Sequence, residues 1–105
     1  MSGKLGSAAL VADTNTTVYT VPADTVATLN IALVNRGADP AKVRVAITDA
    51  ANPGDADWIE YGAEIPAAGG VLERTALVAG AGESIIIRSD VGNVSARVHG
   101  FEEAE

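Results

Sequence analysis

The sequence contains no cysteine and few aromatic residues. The absence of cysteine from all 105 residues excludes disulfide bonds and thiolate metal sites. Aromatic residues make up only 4% of a chain that is 48% hydrophobic, so valine, isoleucine, leucine and alanine must supply the core. A chain of this length fits one domain, and side chains this small fill a core only when the backbones approach closely.

Positive charge is also scarce. Seven lysines and arginines stand against 14 aspartates and glutamates, which gives a formal net charge of −7. Nucleic-acid binding depends on lysine and arginine side chains that displace counterions from phosphates. The composition therefore predicts no nucleic-acid partner.

Long apolar runs are missing as well. The N-terminal segment has one lysine and a short apolar patch. This patch is shorter than the roughly 7–15 apolar residues of a signal-peptide core and the roughly 20 of a membrane-spanning helix. We expect a soluble protein that is made in the cytoplasm and has no membrane partner.

The apolar residues that are present follow the two-residue period of a β-strand. In the segment TVATLNIALVN a strongly apolar set alternates with a mixed set. The apolar set, which we expect to face the core, is Ala27, Leu29, Ile31 and Leu33. No window of a dozen residues keeps a helical stripe without an interrupting glycine or proline, so helices are not predicted.

Turn-forming clusters rich in glycine, proline, asparagine and aspartate separate several such runs. The predicted strands are 16–21, 25–35, 41–48, 57–61, 71–78, 83–89 and 93–102. Short strands at a spacing of about 8–12 residues are typical of a sandwich or barrel. We therefore predict an all-β fold, an antiparallel β-sandwich or small jelly roll of seven to eight short strands.

Three segments are predicted along the chain. Residues 13–102 form the β-sandwich domain. The glycine- and alanine-rich residues 1–12 are interpreted as an extended N-terminal arm, and residues 103–105 as an acidic C-terminal tail.

No arrangement of residues typical of catalysis is visible. The single histidine, His99, has no cysteine partner, and the carboxylates near it in sequence lie beyond the end of its strand. We interpret it as a histidine on the outer face of the last strand rather than as a general base. The sequence predicts no enzyme, no catalytic residues and no cofactor.

Segment 49–61 offers two binding hypotheses. Its four carboxylates suggest a hard-cation site, but the spacing departs from the EF-hand pattern, so we predict a solvated loop and no metal. Trp58 and Tyr61 suggest a platform for stacking sugar rings. The alternative is that the single tryptophan fills the core or an oligomer interface, which is its more frequent role in a small sandwich.

The order of the segments resembles a group of small structural proteins of tailed-bacteriophage particles. The resemblance rests on TTVYTVPADTVATLNIALVNRG, VRVAI, DWIEYGAEIPAAGGVLERTALVAGAGESIIIRS and NVSARVHGFEE. These are patterns of strands and turns without a catalytic signature. They cover roughly residues 14–103 and also resemble modules of longer tail and fibre proteins.

The resemblance implies a non-enzymatic component of the virion, made in the host bacterial cytoplasm. We expect a capsid decoration (cement) protein on the outer surface of the head, which contacts the major capsid protein. The alternative is a structural or receptor-binding module of the tail, baseplate or fibre. The implied partners are the capsid or tail proteins and further copies of the chain, in a homo-oligomer such as a trimer.

Contact residues are predicted from three sources. The arm is expected to lie across a neighbour. The mixed faces of some strands carry apolar residues where a solvent-facing sheet favours polar ones, which predicts an oligomer interface. The alternatives are that a loop covers these residues or that the assigned strand phase is off by one residue. The planar guanidinium group of arginine can donate two parallel hydrogen bonds to a carboxylate of a partner protein. The predicted contact residues are Leu5, Leu10, Val11, Val26, Ala32, Val34, Arg36, Trp58, Arg74, Ile86, Arg88 and Arg97.

Overall fold

The computed structural model describes residues 2–105 as eight β-strands and one short 3-10 turn, Asp55–Asp57. The strands are β1 (Ser2–Ala9), β2 (Thr16–Thr20), β3 (Thr25–Asn35), β4 (Ala41–Thr48), β5 (Trp58–Ile65), β6 (Gly70–Ala79), β7 (Ser84–Ser89) and β8 (Val94–Ala104). The prediction of an all-β sandwich is confirmed. Residues 2–105 contain no helix with the length and apolarity that a membrane span requires.

The strands form two four-stranded antiparallel sheets. Sheet A has the order β1-β8-β3-β6, and sheet B has the order β2-β7-β4-β5. The pairs β1–β8, β2–β7, β3–β6 and β4–β5 are those of one long hairpin that has been folded over on itself. This is the arrangement of an eight-stranded jelly roll.

The core lies between the two sheets and is aliphatic. The predicted inner set of β3 is 0–2% exposed, which confirms the strand phase read from the sequence. Val43 and Val45 of β4 and Ile85 and Ile87 of β7 face this set from sheet B, each at most 1% exposed. The residues that alternate with this inner set therefore face outward from the two sheets.

The prediction of an N-terminal arm is wrong for residues 2–9. These residues are β1, an edge strand that pairs with β8 of the same chain. Leu10, which follows β1, is 2% exposed within the core, and Leu5 packs against the core from a bulge in β1. A Cβ at Gly6 would collide with the Val18 carbonyl, so glycine is needed where β1 approaches β2. Met1 lies outside the described residues.

The C-terminal tail is also shorter than predicted. β8 continues to Ala104, and its last residues pair with the beginning of β3. The backbone N–H of Glu105 donates to the carbonyl of Asp24 at 2.9 Å. Residues 103–105 therefore belong to sheet A and its margin.

Candidate binding surfaces

The outer face of sheet A, here called the apolar face, carries exposed apolar side chains beside charged residues such as Lys4, Glu73 and Arg97. Three of its large side chains are strongly exposed: Val71 at 52%, Val78 at 63% and Phe101 at 45%. Val26, Ala32 and Val34, predicted as contact residues, lie half-buried on the same face along β3. Solvent-facing sides of antiparallel sheets are normally polar, so an apolar side of this kind is typical of a contact surface.

Register places the side chains of the apolar face in rows that cross the strands. One row runs Ser7, Arg97, Ala32 and Glu73 from β1 to β6, with alanine at its centre. Another contains Phe101 on β8, Thr28 on β3 and Val78 on β6. In both rows, the β3 residue lies between two different side chains, one on β8 and one on β6. These are Arg97 and Glu73 in the first row, and Phe101 and Val78 in the second.

Small side chains make a shallow depression on this face. Its volume is about 570 Å³. It is lined by Ser7, Ala8, Ala9, Ala32, Val34, Ser95, Ala96 and Arg97. At the margin, Arg36 Nε donates to Ser95 Oγ at 2.8 Å, which holds the predicted contact residue Arg36 beside the face. A flat, shallow surface of this kind suits a protein more than a small molecule.

His99 occupies the apolar face, as the sequence predicts. Its neighbours in the cross-strand row are Lys4 on β1 and Asn30 on β3. Its Nδ1 is buried and has no hydrogen-bond partner within residues 2–105. The Asn30 side chain accepts the backbone N–H of Ala76 at 3.0 Å, which closes a bulge in β6.

The structure corrects one predicted contact residue besides Leu10, namely Ile86, and shows an intrachain partner for another, Arg74. Arg74 faces the open edge of the sandwich and pairs with Glu60 of the same chain, so β6 and β5 are linked across that edge. Ile86 points outward from sheet B but is only 2% exposed, because it shares a cross-strand row with Ala46 and Trp58. Ile86 is therefore covered, whereas the Arg74 side chain remains 42% exposed. Val11 is 63% exposed.

Two aromatic side chains meet on the outer face of sheet B because β5 is bulged. Residues three apart in a regular strand point to opposite faces. The register skips Ile59 opposite β4, so both Trp58 and Tyr61 point outward. Their ring centroids are 5.5 Å apart, and the planes make an angle of 71°, an edge-to-face contact.

A cleft lies beside this aromatic pair and is here called the cationic cleft. Its volume is about 210 Å³. It is lined by Asp13, Lys42, Arg44, Gly62, Arg88 and Asp90. Gly62 is the extra residue of a second β5 bulge and has φ +83°, a conformation that favours glycine. The missing side chain leaves the cleft open on the β5 side.

Contacts within the cationic cleft hold one arginine firmly and another loosely. The Arg44 guanidinium carbon lies 4.2 Å from the centroid of the Tyr61 ring. Arg88 is 3.8 Å from the carboxylate of Asp13, which is 69% exposed. The Asp90 carboxylate accepts the backbone N–H of Lys42 at 2.8 Å.

Only part of this cleft was visible in the sequence. Arg88 is among the predicted contact residues, and Lys42 and Arg44 follow the polar phase of β4. Their convergence depends on the β4–β7 register and on the crossing of residues 10–13 between the sheets, which local periodicity does not encode.

The acidic segment before β5 is organised by its own hydrogen bonds. The Asp57 carboxylate accepts the backbone N–H of Gly54 at 2.8 Å, which closes the turn that precedes Trp58. Within residues 2–105, no three histidine, aspartate or glutamate side chains come together as a metal-binding group.

Comparison with known proteins gives no relative. No protein-family model, curated protein or solved structure matches this chain.

Proposed function

We propose that this chain is a non-enzymatic structural protein of a tailed-bacteriophage particle, a capsid decoration protein that binds the shell and its own copies. The observation that carries the proposal is the apolar face, a flat side of sheet A whose exposed valines and phenylalanine favour burial against protein. The location rests on the sequence resemblance. The acidic composition suits a position outside the capsid, where the chain does not meet packaged DNA.

The apolar face has the pattern needed to pair with a second copy of itself. A two-fold axis that lies above β3 and parallel to it sets β8 of one copy opposite β6 of the other. Arg97 then faces the second copy's Glu73, and Phe101 faces the second copy's Val78. Ala32 meets its own counterpart at the centre, where its small side chain permits the roughly 10 Å spacing of packed sheets.

Charge exchange tests this pairing. Arg97→Glu and Glu73→Arg should each weaken self-association, because each sets like charges opposite one another, and the double variant should restore it. Sedimentation velocity over a range of concentrations measures the effect. Thr17→Arg, on the exposed outer side of sheet B, is the control and should associate like the wild type. Loss of association in the double variant as severe as in the single variants would exclude the two-fold arrangement.

Immunogold labelling of intact particles tests the location. An antibody against the folded chain should label the heads, with many copies per particle. The second candidate is a tail- or fibre-associated receptor-binding module, favoured by the outward Trp58–Tyr61 pair, and it requires label on the tail. Particles that carry no label would exclude both locations.

A further inference from the structure

The cationic cleft is lined by three positively charged side chains and two carboxylates, which leaves an excess of positive charge. Arg44 and Arg88 are direct cross-strand neighbours on β4 and β7. Like charges in this position destabilise a sheet unless an anion lies between them. With Lys42, they place three of the seven lysines and arginines of an acidic chain in one cleft.

The donors of Arg44 are positioned for a ligand. The contact with Tyr61 holds the Arg44 guanidinium over the ring, and a cation–π contact uses none of the N–H donors that a ligand would need. Within residues 2–105, Lys42 and Arg44 form no ion pair, and Arg88 has only the long contact with Asp13. A guanidinium fork binds carboxylates and phosphates through two parallel hydrogen bonds, and a carboxylate is the one of the two that carries a single charge.

The two carboxylates of the cleft restrict what this anion can be. Asp13 and Asp90 would repel a second negative charge, which disfavours polyanions such as nucleic acids and acidic peptides. Carboxylates accept hydrogen bonds from hydroxyl groups. The cleft therefore matches a ligand that has one carboxylate and several hydroxyl groups.

The size and margin of the cleft point to a sugar. Its volume of about 210 Å³ is smaller than the roughly 300–1,000 Å³ of sites for drug-sized ligands, so it suits a single ring. Tyr61, 64% exposed and in contact with Arg44, places a flat apolar ring at the margin, and Trp58 packs against Tyr61. We propose that the cationic cleft binds a sugar acid, with its carboxylate on Arg44 and Arg88 and its hydroxyl groups on Asp13 and Asp90.

Titration of the whole chain with glucuronate tests this site. Trp58, the single tryptophan, reports through its fluorescence, and amide NMR shifts locate the ligand. Glucuronate should produce saturable shifts in β4, the Tyr61–Gly62 bulge and β7, and neutral glucose should bind at least about tenfold more weakly. Raising the ionic strength should weaken the binding.

Two variants and one matched control complete the test. Arg88→Gln and Arg44→Gln should each lower the affinity for glucuronate about tenfold, while Arg36→Gln removes the same charge beside sheet A and should leave it unchanged. Native amide dispersion shows that each variant is folded. Equal binding of glucose, equal binding of acetate, or tighter binding of a glutamate-rich peptide would each overturn the proposal. These outcomes do not depend on whether the chain lies on a phage head or tail.

Discussion

Tyr19 links the two sheets through a partly buried hydrogen bond. Its hydroxyl, on β2 of sheet B, donates to the Glu102 carboxylate on β8 of sheet A at 2.5 Å. Burial, the hydrogen bond and the negative charge of Glu102 all raise the pKa of Tyr19 above its ordinary value. The folded protein therefore favours the neutral phenol. Glu102, the last residue of the strand predicted at 93–102, holds β8 of sheet A to β2 of sheet B through this contact.

This raised pKa predicts a loss of stability in alkali. A raised folded pKa contributes stability that is present below the unfolded pKa of about 10 and falls as the pH rises above it, by up to about 1.4 kcal/mol per pH unit. Tyr19→Phe should be less stable than the wild type at pH 7 by about 1–2 kcal/mol, and the difference should shrink above pH 10. Urea unfolding at several pH values measures this. A stability difference between the wild type and Tyr19→Phe that stays constant with pH would contradict the prediction.

At the scale of elements, β1 and β5 show what periodicity misses. β1 is built from glycine, serine and alanine, residues with little strand preference, and its structure depends on pairing with β8, far away in sequence. The two bulges of β5 bring Trp58 and Tyr61 to one side, although a regular strand would separate them. Strands with clear alternation, such as β3, were predicted in both position and phase.

A pair of adjacent substitutions tests whether the end of β1 is an integral part of the fold. Leu10→Ala should lower the free energy of unfolding by about 2–5 kcal/mol, because Leu10 is 2% exposed in the core. Val11→Ala, 63% exposed, should change it by less than about 0.5 kcal/mol. Chemical denaturation of both variants gives the comparison. If Leu10→Ala were as stable as Val11→Ala, this segment would behave as the free arm predicted from the sequence.

At the scale of the whole molecule, the sequence predicts the class of fold and the core but not the pairing of strands. The seven strand segments and the inner set of β3 follow from alternation and turn residues. The order of the strands in each sheet does not follow from these local patterns, because each sheet joins segments from opposite ends of the chain. The cationic cleft depends on that order, so only the polar phase of its residues was predictable.

The same strand order predicts slow folding. Folds dominated by pairing between distant segments fold in about milliseconds to seconds, and β1–β8 is the most distant pair in this chain. Stopped-flow refolding followed by Trp58 fluorescence should show a rate in this range. Leu10→Ala should mainly raise the unfolding rate, because β1 can join only after β8 is in place. A large decrease in the folding rate of this variant would instead place β1 in the folding nucleus.

The position of β8 inside sheet A has a consequence during translation. β8 separates β1 from β3, so β1 has no neighbouring strand until the last segment of the chain has been made. Synthesis adds about 5–20 residues per second, so several seconds pass between the synthesis of β1 and that of β8, its pairing strand. The sequence of β1 is rich in glycine, serine and alanine. These residues give the unpaired strand of the nascent chain little tendency to aggregate before β8 has been made.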